Sequence, residues 1–282
     1  MSKVLMFHRV LPRHLISEMS AYATFGTLIS QEFFEKILQL IEDHCFKTKT
    51  VSEIAAQPDR DEDKSIALTF DDGYSDNFEF ALPLLKKYNA NATFYPVVIP
   101  CRDNTVLPLD TYYQSVEILN LTEAEREEYI KGDTKKRFYW AEPIKQHSLL
   151  KTLFQHIPNT PQVSYMTAHQ LKALSLDGFE IGSHGMTHSL LSADYMTEQK
   201  RKYEIQDSKQ WLEHITGKPV FSFCFPAGRY NKESIDIAKG VGYKSTSLVY
   251  RDENVTESLP SFERFFVKPD SLQDLKSYLK VL

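Results

Sequence analysis

The amino-acid sequence predicts an α/β fold with a mostly parallel sheet. Short apolar runs bounded by turn residues alternate with segments of helical periodicity, which is the pattern of βα units. The 282 residues are enough to bury a full core, as one large domain or two small ones. Neither an internal repeat nor a low-complexity tract is visible in the sequence. We therefore expect a single domain over residues 1–282.

Six short apolar runs are the predicted strands. They are residues 3–7 (KVLMF), 65–70 (SIALTF), 92–98 (ATFYPVV), 179–183 (FEIGS), 221–225 (FSFCF) and 243–249 (YKSTSLV). The first run is interrupted at once by His8 and Arg9, so it is more typical of a first strand than of a signal peptide. This start predicts a cytoplasmic protein.

Two helices between these strands carry clear signals. Apolar side chains recur at helical spacing over residues 77–90, and Pro83 within this segment is expected to bend or shorten the helix. A second helix is predicted over residues 167–178, where Thr167 and Gln170 form a capping-box pattern.

Residues 101–162 break the alternation. They are rich in charged and aromatic residues, and at least one capped helix is predicted to start at Thr122. The segment offers too little apolar surface to fold alone. We predict an insertion over one face of the core.

Charge and cysteine content narrow the class of protein. The 33 Lys and Arg residues against 38 Asp and Glu residues give a net charge of -5 without a concentrated basic stretch, which argues against nucleic acid as the main partner. Three distant cysteines without metal-type spacing argue against a disulfide framework and favour a reducing compartment. Because every apolar run is far shorter than the ~20 residues that span a bilayer, no transmembrane segment is predicted.

The first polar cluster lies in LTFDDGYSDN, residues 68–77. Asp71 and Asp72 follow an apolar run and precede Gly73. Strand ends are where α/β proteins bring functional side chains together, but Asp-Asp-Gly is also an ordinary turn and Asp a good helix N-cap. These ten residues leave both interpretations open.

The second polar cluster lies in FEIGSHGMTHSLLS, residues 179–192. His184 and His188 are four residues apart, so a helical turn would place both imidazoles on one face, within reach of one metal ion. Surface or capping histidines would show the same spacing.

Together the two clusters favour a catalytic site. Both follow predicted strands, and parallel strands end on one common face. One carboxylate and two imidazoles form a catalytic metal set with positions left for water. Because neighbouring side chains on extended backbone point different ways, Asp71 and Asp72 are expected to divide into one ligand and one base.

Three motifs in this order resemble the polysaccharide deacetylase family, the NodB-homology carbohydrate esterases. They are TFDDG at 69–73, SHGMTH at 183–188 and FCFPAGRYN at 223–231. The N-terminal LMFHRV is similar to the start of the subgroup that includes poly-N-acetylglucosamine deacetylases. The resemblance implies a distorted (β/α)7 barrel, with the helical insertion at about 101–162 as a cap.

The resemblance also implies roles for individual residues. Asp71 would be the general base, while Asp72, His184 and His188 would hold a divalent metal ion, most commonly Zn²⁺, with Co²⁺ or Ni²⁺ as alternatives. The backbone N–H of Ala227 would face the oxyanion of the tetrahedral intermediate.

The sequence departs from the family pattern at two places. Cys224 stands where the family usually has the arginine that orients the base, and we expect Arg264, or alternatively Arg229, to supply that guanidinium. The late histidine that serves as general acid is absent, since no histidine follows His214. His8 is the expected replacement, although a structural histidine bonded to backbone would fit that position equally well.

The sequence therefore predicts a metal-dependent carbohydrate N-deacetylase. Its partner would be an N-acetylated sugar or a glycan precursor, nucleotide-linked, lipid-linked or small. A metal-dependent amidase or deformylase on another N-acyl substrate is the first alternative, because specificity lies in variable loops. A catalytically inactive sugar-binding protein on the same fold is the second. The oligomeric state is not indicated.

Overall fold

The computed structural model describes residues 3–57, 64–154, 156–158, 162–255 and 258–281, and parallel strands form its centre. The strands are β1 Lys3–Phe7, β2 Arg9–Leu11, β3 Leu28–Ser30, β4 Lys47–Thr48, β5 Ser65–Asp72, β6 Thr93–Pro96, β7 Glu180–Ile181, β8 Ser222–Cys224, β9 Ser245–Leu248, β10 Ser261–Glu263 and β11 Phe265–Phe266.

Fourteen helices surround these strands within the described ranges. They are α1 Ala21–Phe25, α2 Gln31–Asp43, α3 Val51–Ala56, α4 Leu82–Lys87, α5 Val98–Asp103, α6 Pro108–Glu117, α7 Glu123–Lys131, α8 Asp133–Trp140, α9 Pro143–Leu153, α10 Ala168–Leu176, α11 Glu198–Lys202, α12 Ser208–Thr216, α13 Lys232–Gly240 and α14 Leu272–Leu279. Residues Asn77–Ala81 and Tyr203–Asp207 form π-helical turns, and Arg13–Leu15 and Pro226–Gly228 form 3₁₀ turns.

The strands close into a barrel. One parallel sheet has the order β11-β1-β5-β6-β7, and a second has the order β10-β9-β8. A parallel bridge between Ser183 and Phe223 joins the two sheets on one side. On the other side β10 and β11 are consecutive, separated by Arg264 alone, and act as one interrupted strand. Seven parallel strands thus form the ring, which confirms the predicted (β/α)7 barrel and its distortion at the short β7.

The strands divide the interior into two apolar regions. Phe70 on β5 stacks between Phe7 and Phe94, at ring distances of 5.2 and 5.0 Å, in the layer that packs against the helices. The alternate residue Ala67 belongs to a smaller cluster inside the barrel, with Tyr95. Because both faces are covered, β5 is buried over its whole length.

The six predicted strands are confirmed, with differences of up to two residues at their ends. The strand predicted to stop at residue 70 continues to Asp72, whose neighbour Asp71 pairs in register with Tyr95. The run 92–98 is a strand only to Pro96, because Val98 begins α5 and donates its N–H to the carbonyl of Gly185. The seventh strand, within residues 261–266, was not predicted, since charged residues interrupt its apolar pattern.

The helix predictions hold. Helix α10 has Thr167 as N-cap in a capping box with Gln170. The segment 77–90 is split into a π-helical turn and α4, with Pro83 in the first turn of α4. A proline there cannot donate to the preceding turn, which explains the division.

The predicted insertion of residues 101–162 contains α6 to α9 between β6 and β7. Tyr112 packs against Phe138 and Phe154, with ring centroids 4.7 and 5.2 Å apart, in a small aromatic core. Helix α7 starts after Thr122 with a capping box, as predicted. The exact limits of the insertion stay a prediction.

Two further features concern the chain as a whole. Cys45, Cys101 and Cys224 are all free thiols. Among the helices of the described ranges, none combines the length and the apolar character needed to cross a bilayer.

Candidate metal centre and active site

A cavity of about 250 Å³ opens at the carboxyl ends of the barrel strands. Parallel barrels place functional side chains at this end. Six of the seven predicted site residues line the cavity: His8, Asp71, Asp72, His184, His188 and Ala227. The seventh, Arg264, lies directly behind Asp71.

Asp72, His184 and His188 form a compact set of ligand atoms, which all lie within 4.8 Å of one another. Nε2 of His184 is 3.6 Å from Oδ1 of Asp72, and Nε2 of His188 is 3.3 Å from the same oxygen. This oxygen is buried and has no hydrogen-bond partner among the described residues. A buried carboxylate oxygen without a donor, facing two imidazole nitrogens, fits a divalent metal ion.

The backbone sets the tautomer of His184. Its Nδ1 lies 2.8 Å from the carbonyl oxygen of Cys224, and since a carbonyl only accepts, Nδ1 carries the proton. The lone pair of Nε2 therefore faces Asp72, as a metal ligand requires. Burial lowers the pKa of His184 to about 4, so the ring is neutral at pH 7.

The protonation states of Asp72 and of the two histidines depend on one another. Burial by itself raises the pKa of Asp72, but the nearby His188, His8 and His184 bring it far below its ordinary value. Burial lowers the pKa of His188, and the Asp72 carboxylate more than reverses this effect. The pocket therefore favours an anionic Asp72 beside a positive charge.

The two histidines are not on a helix, so the predicted helical turn is wrong. Residues 183–188 form a loop in which Gly185 and His188 have φ values of 85° and 64°. Buried Glu204, in the π-helical turn Tyr203–Asp207, accepts the N–H groups of Met186 and Thr187 at 2.7 and 2.9 Å. The loop needs this acceptor because its backbone donors have no helical partners. No pattern in the sequence indicated Glu204.

Asp71 forms a bidentate pair with Arg264 inside the barrel. Nη1 and Nη2 of Arg264 donate to Oδ1 and Oδ2 of Asp71 at 2.7 and 2.8 Å. Burial alone raises the pKa of Asp71, but the guanidinium outweighs it and keeps the pKa below its ordinary value. Asp71 is therefore ionised at neutral pH and held in one orientation.

The structure distinguishes between the two candidate arginines. Arg229 stacks over Trp140 and Tyr250, at 4.9 and 5.3 Å from their ring centroids, and is not the arginine that contacts Asp71. Nη2 of Arg264 also lies 3.1 Å from Sγ of Cys224. The buried thiol thus leaves room for an arginine that enters from β10 and β11.

His8 and Ala227 complete the cavity wall. The His8 ring packs against Phe266, and its buried Nδ1 has no hydrogen-bond partner within the described residues. Ala227 has left-handed backbone, with φ 51°. The backbone donors of its turn are Phe225, Gly228 and Arg229, and none of the described hydrogen bonds starts from the Ala227 N–H.

The insertion supplies a wall of the cavity that the sequence did not indicate. It contributes Leu107, Leu109, Asp110, Tyr113, Lys135 and Tyr139. The Tyr139 ring lies 6.0 Å from that of His188. The hydroxyls of Tyr22 and Tyr74 donate to Oδ1 of Asp110 at 2.8 Å each, and that of Tyr165 donates to Oδ2. This network joins α6 to the barrel loops.

Comparisons with known proteins agree with this architecture. A family model described as polysaccharide deacetylase matches residues 59–123 and 133–246, well over half of the chain. Among curated proteins, YxkH of Bacillus subtilis (strain 168), whose name places it among polysaccharide deacetylases, is 22% identical over 219 residues. The match covers 77% of this chain but only 57% of YxkH.

Solved structures show the same fold. The Streptococcus pyogenes deacetylase PplD superposes with a TM-score of 0.67 at 19% identity, covering 98% of this chain and 97% of PplD. IcaB from Ammonifex degensii gives a TM-score of 0.64 at 17% identity, covering 99% and 97% of the two chains.

Replacing Glu204 by Gln is expected to destabilise the protein by about 1–3 kcal/mol, because an amide NH₂ would oppose one of the donors that the carboxylate accepts. Urea unfolding of Glu204→Gln measures the loss. Exposed Glu198, paired with Lys202 on the surface, provides the control Glu198→Gln, with a change within about 0.5 kcal/mol. Equal stability of the two variants would show that Glu204 does not hold the histidine loop.

Proposed function

Because this chain belongs to the polysaccharide deacetylase family, whose members hydrolyse N-acetyl amide bonds, we propose that it is a metal-dependent carbohydrate N-deacetylase. The observation that carries the proposal is the juxtaposition, in one buried cavity, of the Asp72, His184 and His188 set with the Asp71–Arg264 pair. A ligand set beside an oriented carboxylate is the arrangement that metal-assisted hydrolysis needs.

Asp72, His184 and His188 would hold the metal ion, through one carboxylate oxygen and two Nε2 atoms. Two imidazoles and one carboxylate favour Zn²⁺, with Co²⁺ or Ni²⁺ as alternatives. When bound, such an ion supplies a Lewis acid that polarises the amide carbonyl and lowers the pKa of water.

Asp71 is the proposed general base. It accepts a proton from the water whose oxygen attacks the acetyl carbon. Arg264 uses both of its terminal nitrogens on Asp71, so it holds the carboxylate as a positioning residue. Among the described hydrogen bonds, Oδ1 accepts from Arg264 alone and so retains a lone pair. Oδ2 also accepts a weak hydrogen bond from Sγ of Cys224 at 3.7 Å, and it lies 4.0 Å from Nε2 of His184, on the side of the ligand set.

Ala227 and His8 serve the later stages of the proposed reaction. The backbone N–H of Ala227 donates to the oxyanion that forms as water adds to the carbonyl. His8, once protonated, donates a proton to the leaving nitrogen as the C–N bond breaks, giving acetate and a free amine. The cavity position of His8 and its unbonded Nδ1 support this role.

The proposed substrate is an N-acetylated sugar or a glycan precursor. The relation to polysaccharide deacetylases supports the amino-sugar class. Retention of Asp71 beside the ligand set favours a catalyst over an inactive sugar-binding protein, since binding alone needs no base.

Metal content tests the ligand set. Elemental analysis after removal of loosely bound ions is expected to find about one zinc, cobalt or nickel per wild-type chain. The double variant His184→Ala, His188→Ala should lose it, because one ligand remains. The exposed His14 gives the control His14→Ala, which should keep the metal. Wild-type protein without metal, even after reconstitution, would contradict the proposal.

Asp71→Asn tests the base. The rate of free-amine release from N-acetylated sugars should fall about 10²- to 10⁴-fold, because an amide cannot accept the proton. Metal content should be retained, since Asp72 is unchanged. Asp236→Asn, an exposed change on α13, is the control for loss of one negative charge. Wild-type activity in Asp71→Asn would remove Asp71 from the mechanism.

His8→Ala tests the acid. With normal metal content, kcat should fall about 10²-fold or more, because the leaving amine loses its proton donor. His44 bonds the Leu40 carbonyl through Nδ1 at 2.9 Å, away from the cavity, so His44→Ala is a matched control. Unchanged kcat in His8→Ala would assign His8 a packing role.

A further inference from the structure

The cavity contains a lysine that the proposed chemistry does not use. Lys135, on α8 of the insertion, lines the cavity and is 8% exposed. Its Nζ lies 3.6 Å from the ring centroid of Phe25 and 5.0 Å from that of Tyr139. An ammonium group is thus enclosed by aromatic rings in the wall of the candidate active site.

Lys135 has no anionic partner within the described ranges. None of the ion pairs or hydrogen bonds formed by those residues includes its Nζ. Lys136, the next residue, is exposed and pairs with Asp133 at 3.2 Å. Buried Lys209 on α12 pairs with Glu213 at 2.8 Å. Lys135 therefore lacks the carboxylate partner that Lys136 and Lys209 each have.

An unpaired buried cation is costly, and the aromatic faces compensate for only part of its lost hydration. Burial lowers the pKa of Lys135 to about 8, so most of the ammonium groups are still charged at pH 7. A methionine would fill the same space without this cost. The retained charge points to a ligand that carries the opposite charge.

The position of Lys135 relative to the reaction centre suits one sugar ring. Both lie near Tyr139, whose ring centroid is 5.0 Å from Nζ of Lys135 and 6.0 Å from that of the His188 ring, and all three residues line the cavity. Lys135 is also the sole lysine or arginine on the described wall of the cavity. Asp110 in the same wall already accepts three tyrosine hydroxyls and is turned to them.

We propose that Lys135 forms an anion subsite, so that the enzyme's substrate is an N-acetylated amino sugar bearing a phosphate or carboxylate group. This inference rests on the proposed deacetylase function and narrows its substrate class. The acetamido group lies toward His184 and His188, and the anionic substituent lies toward α8. A charge-assisted hydrogen bond in this buried position gives the anionic sugar roughly a tenfold or greater advantage over its neutral counterpart.

The test is a ligand-observed NMR titration of the metal-containing protein at pH 7. The probes are N-acetylglucosamine, its 1-phosphate, its 6-phosphate, and N-acetylmuramic acid as the carboxylate. Wild type is compared with Lys135→Met, which keeps the apolar stem, and with Lys136→Met, which removes a neighbouring exposed charge. Metal content is checked in each protein, so any binding of the anion to the metal ion is common to all three.

At least one anionic probe should bind wild type and Lys136→Met roughly tenfold or more tightly than N-acetylglucosamine. Lys135→Met should lose this preference. If the phosphate probes show the preference, the subsite binds a phosphate; if N-acetylmuramic acid shows it, the subsite binds a carboxylate. The proposal is overturned if wild type has no anion preference, if Lys135→Met keeps it, or if Lys135→Met weakens neutral and anionic probes equally.

The acetate methyl signal in the same spectra reports turnover separately. Acetate release without an anion preference would overturn the subsite and leave the deacetylase proposal standing. A Lys135-dependent preference, with no acetate released from any N-acetylated sugar, would support the subsite and count against the deacetylase.

Discussion

The contacts of the Arg264 guanidinium organise the centre of this molecule. Its nitrogens reach Thr69 and Asp71 on β5, the sulfur of Cys224 on β8 and the carbonyl of Leu248 on β9. Arg264 itself is the residue at which β10 passes into β11, where the barrel closes. One side chain therefore connects the strands that close the ring and orients the carboxylate at its mouth. Removing a partner from such a buried pair typically costs about 3–5 kcal/mol.

The site depends on unusual backbone as well as on charge. Asp72, His188 and Ala227 all have positive φ, at 68°, 64° and 51°. Non-glycine residues adopt this conformation at a cost of about 1–3 kcal/mol each, and the surrounding structure must hold them there. The turn of the backbone at Asp72 lets two adjacent carboxylates face one cavity, although extended neighbours would point apart.

The insertion has a double role, because its aromatic residues form both a small core and a wall of the cavity. Tyr112 packs inward on Phe138 and Phe154, whereas Tyr113 and Tyr139 line the cavity. The Asp110 network fixes α6 to α1 and to the loop after β5 through neutral hydroxyl donors. The barrel thus supplies the proposed catalytic groups, and the insertion supplies part of the cavity wall. This division is expected where one scaffold serves many substrates.

The sequence by itself determined the α/β class, six of the seven barrel strands and the two polar clusters. These signals are local. An apolar run indicates a buried strand, and Asp-Asp-Gly or His-x-x-x-His directly after such a strand indicates a functional site. The family resemblance added the expected roles of Asp71, Asp72, His184 and His188. Only the tertiary structure showed that Arg264, not Arg229, contacts Asp71, because 193 residues separate Asp71 from Arg264 and no local pattern links them.

The tertiary structure also introduced Glu204 and Lys135, which sequence patterns could not find. A glutamate in a helical segment and one lysine in a charged stretch look like ordinary solvated residues. The roles of both residues depend on burial and on groups that folding brings near them. Glu204 accepts hydrogen bonds from backbone N–H groups, and Lys135 is surrounded by aromatic rings. Local chemistry therefore specified which groups could react, while packing between distant segments decided which of them meet and what surrounds them.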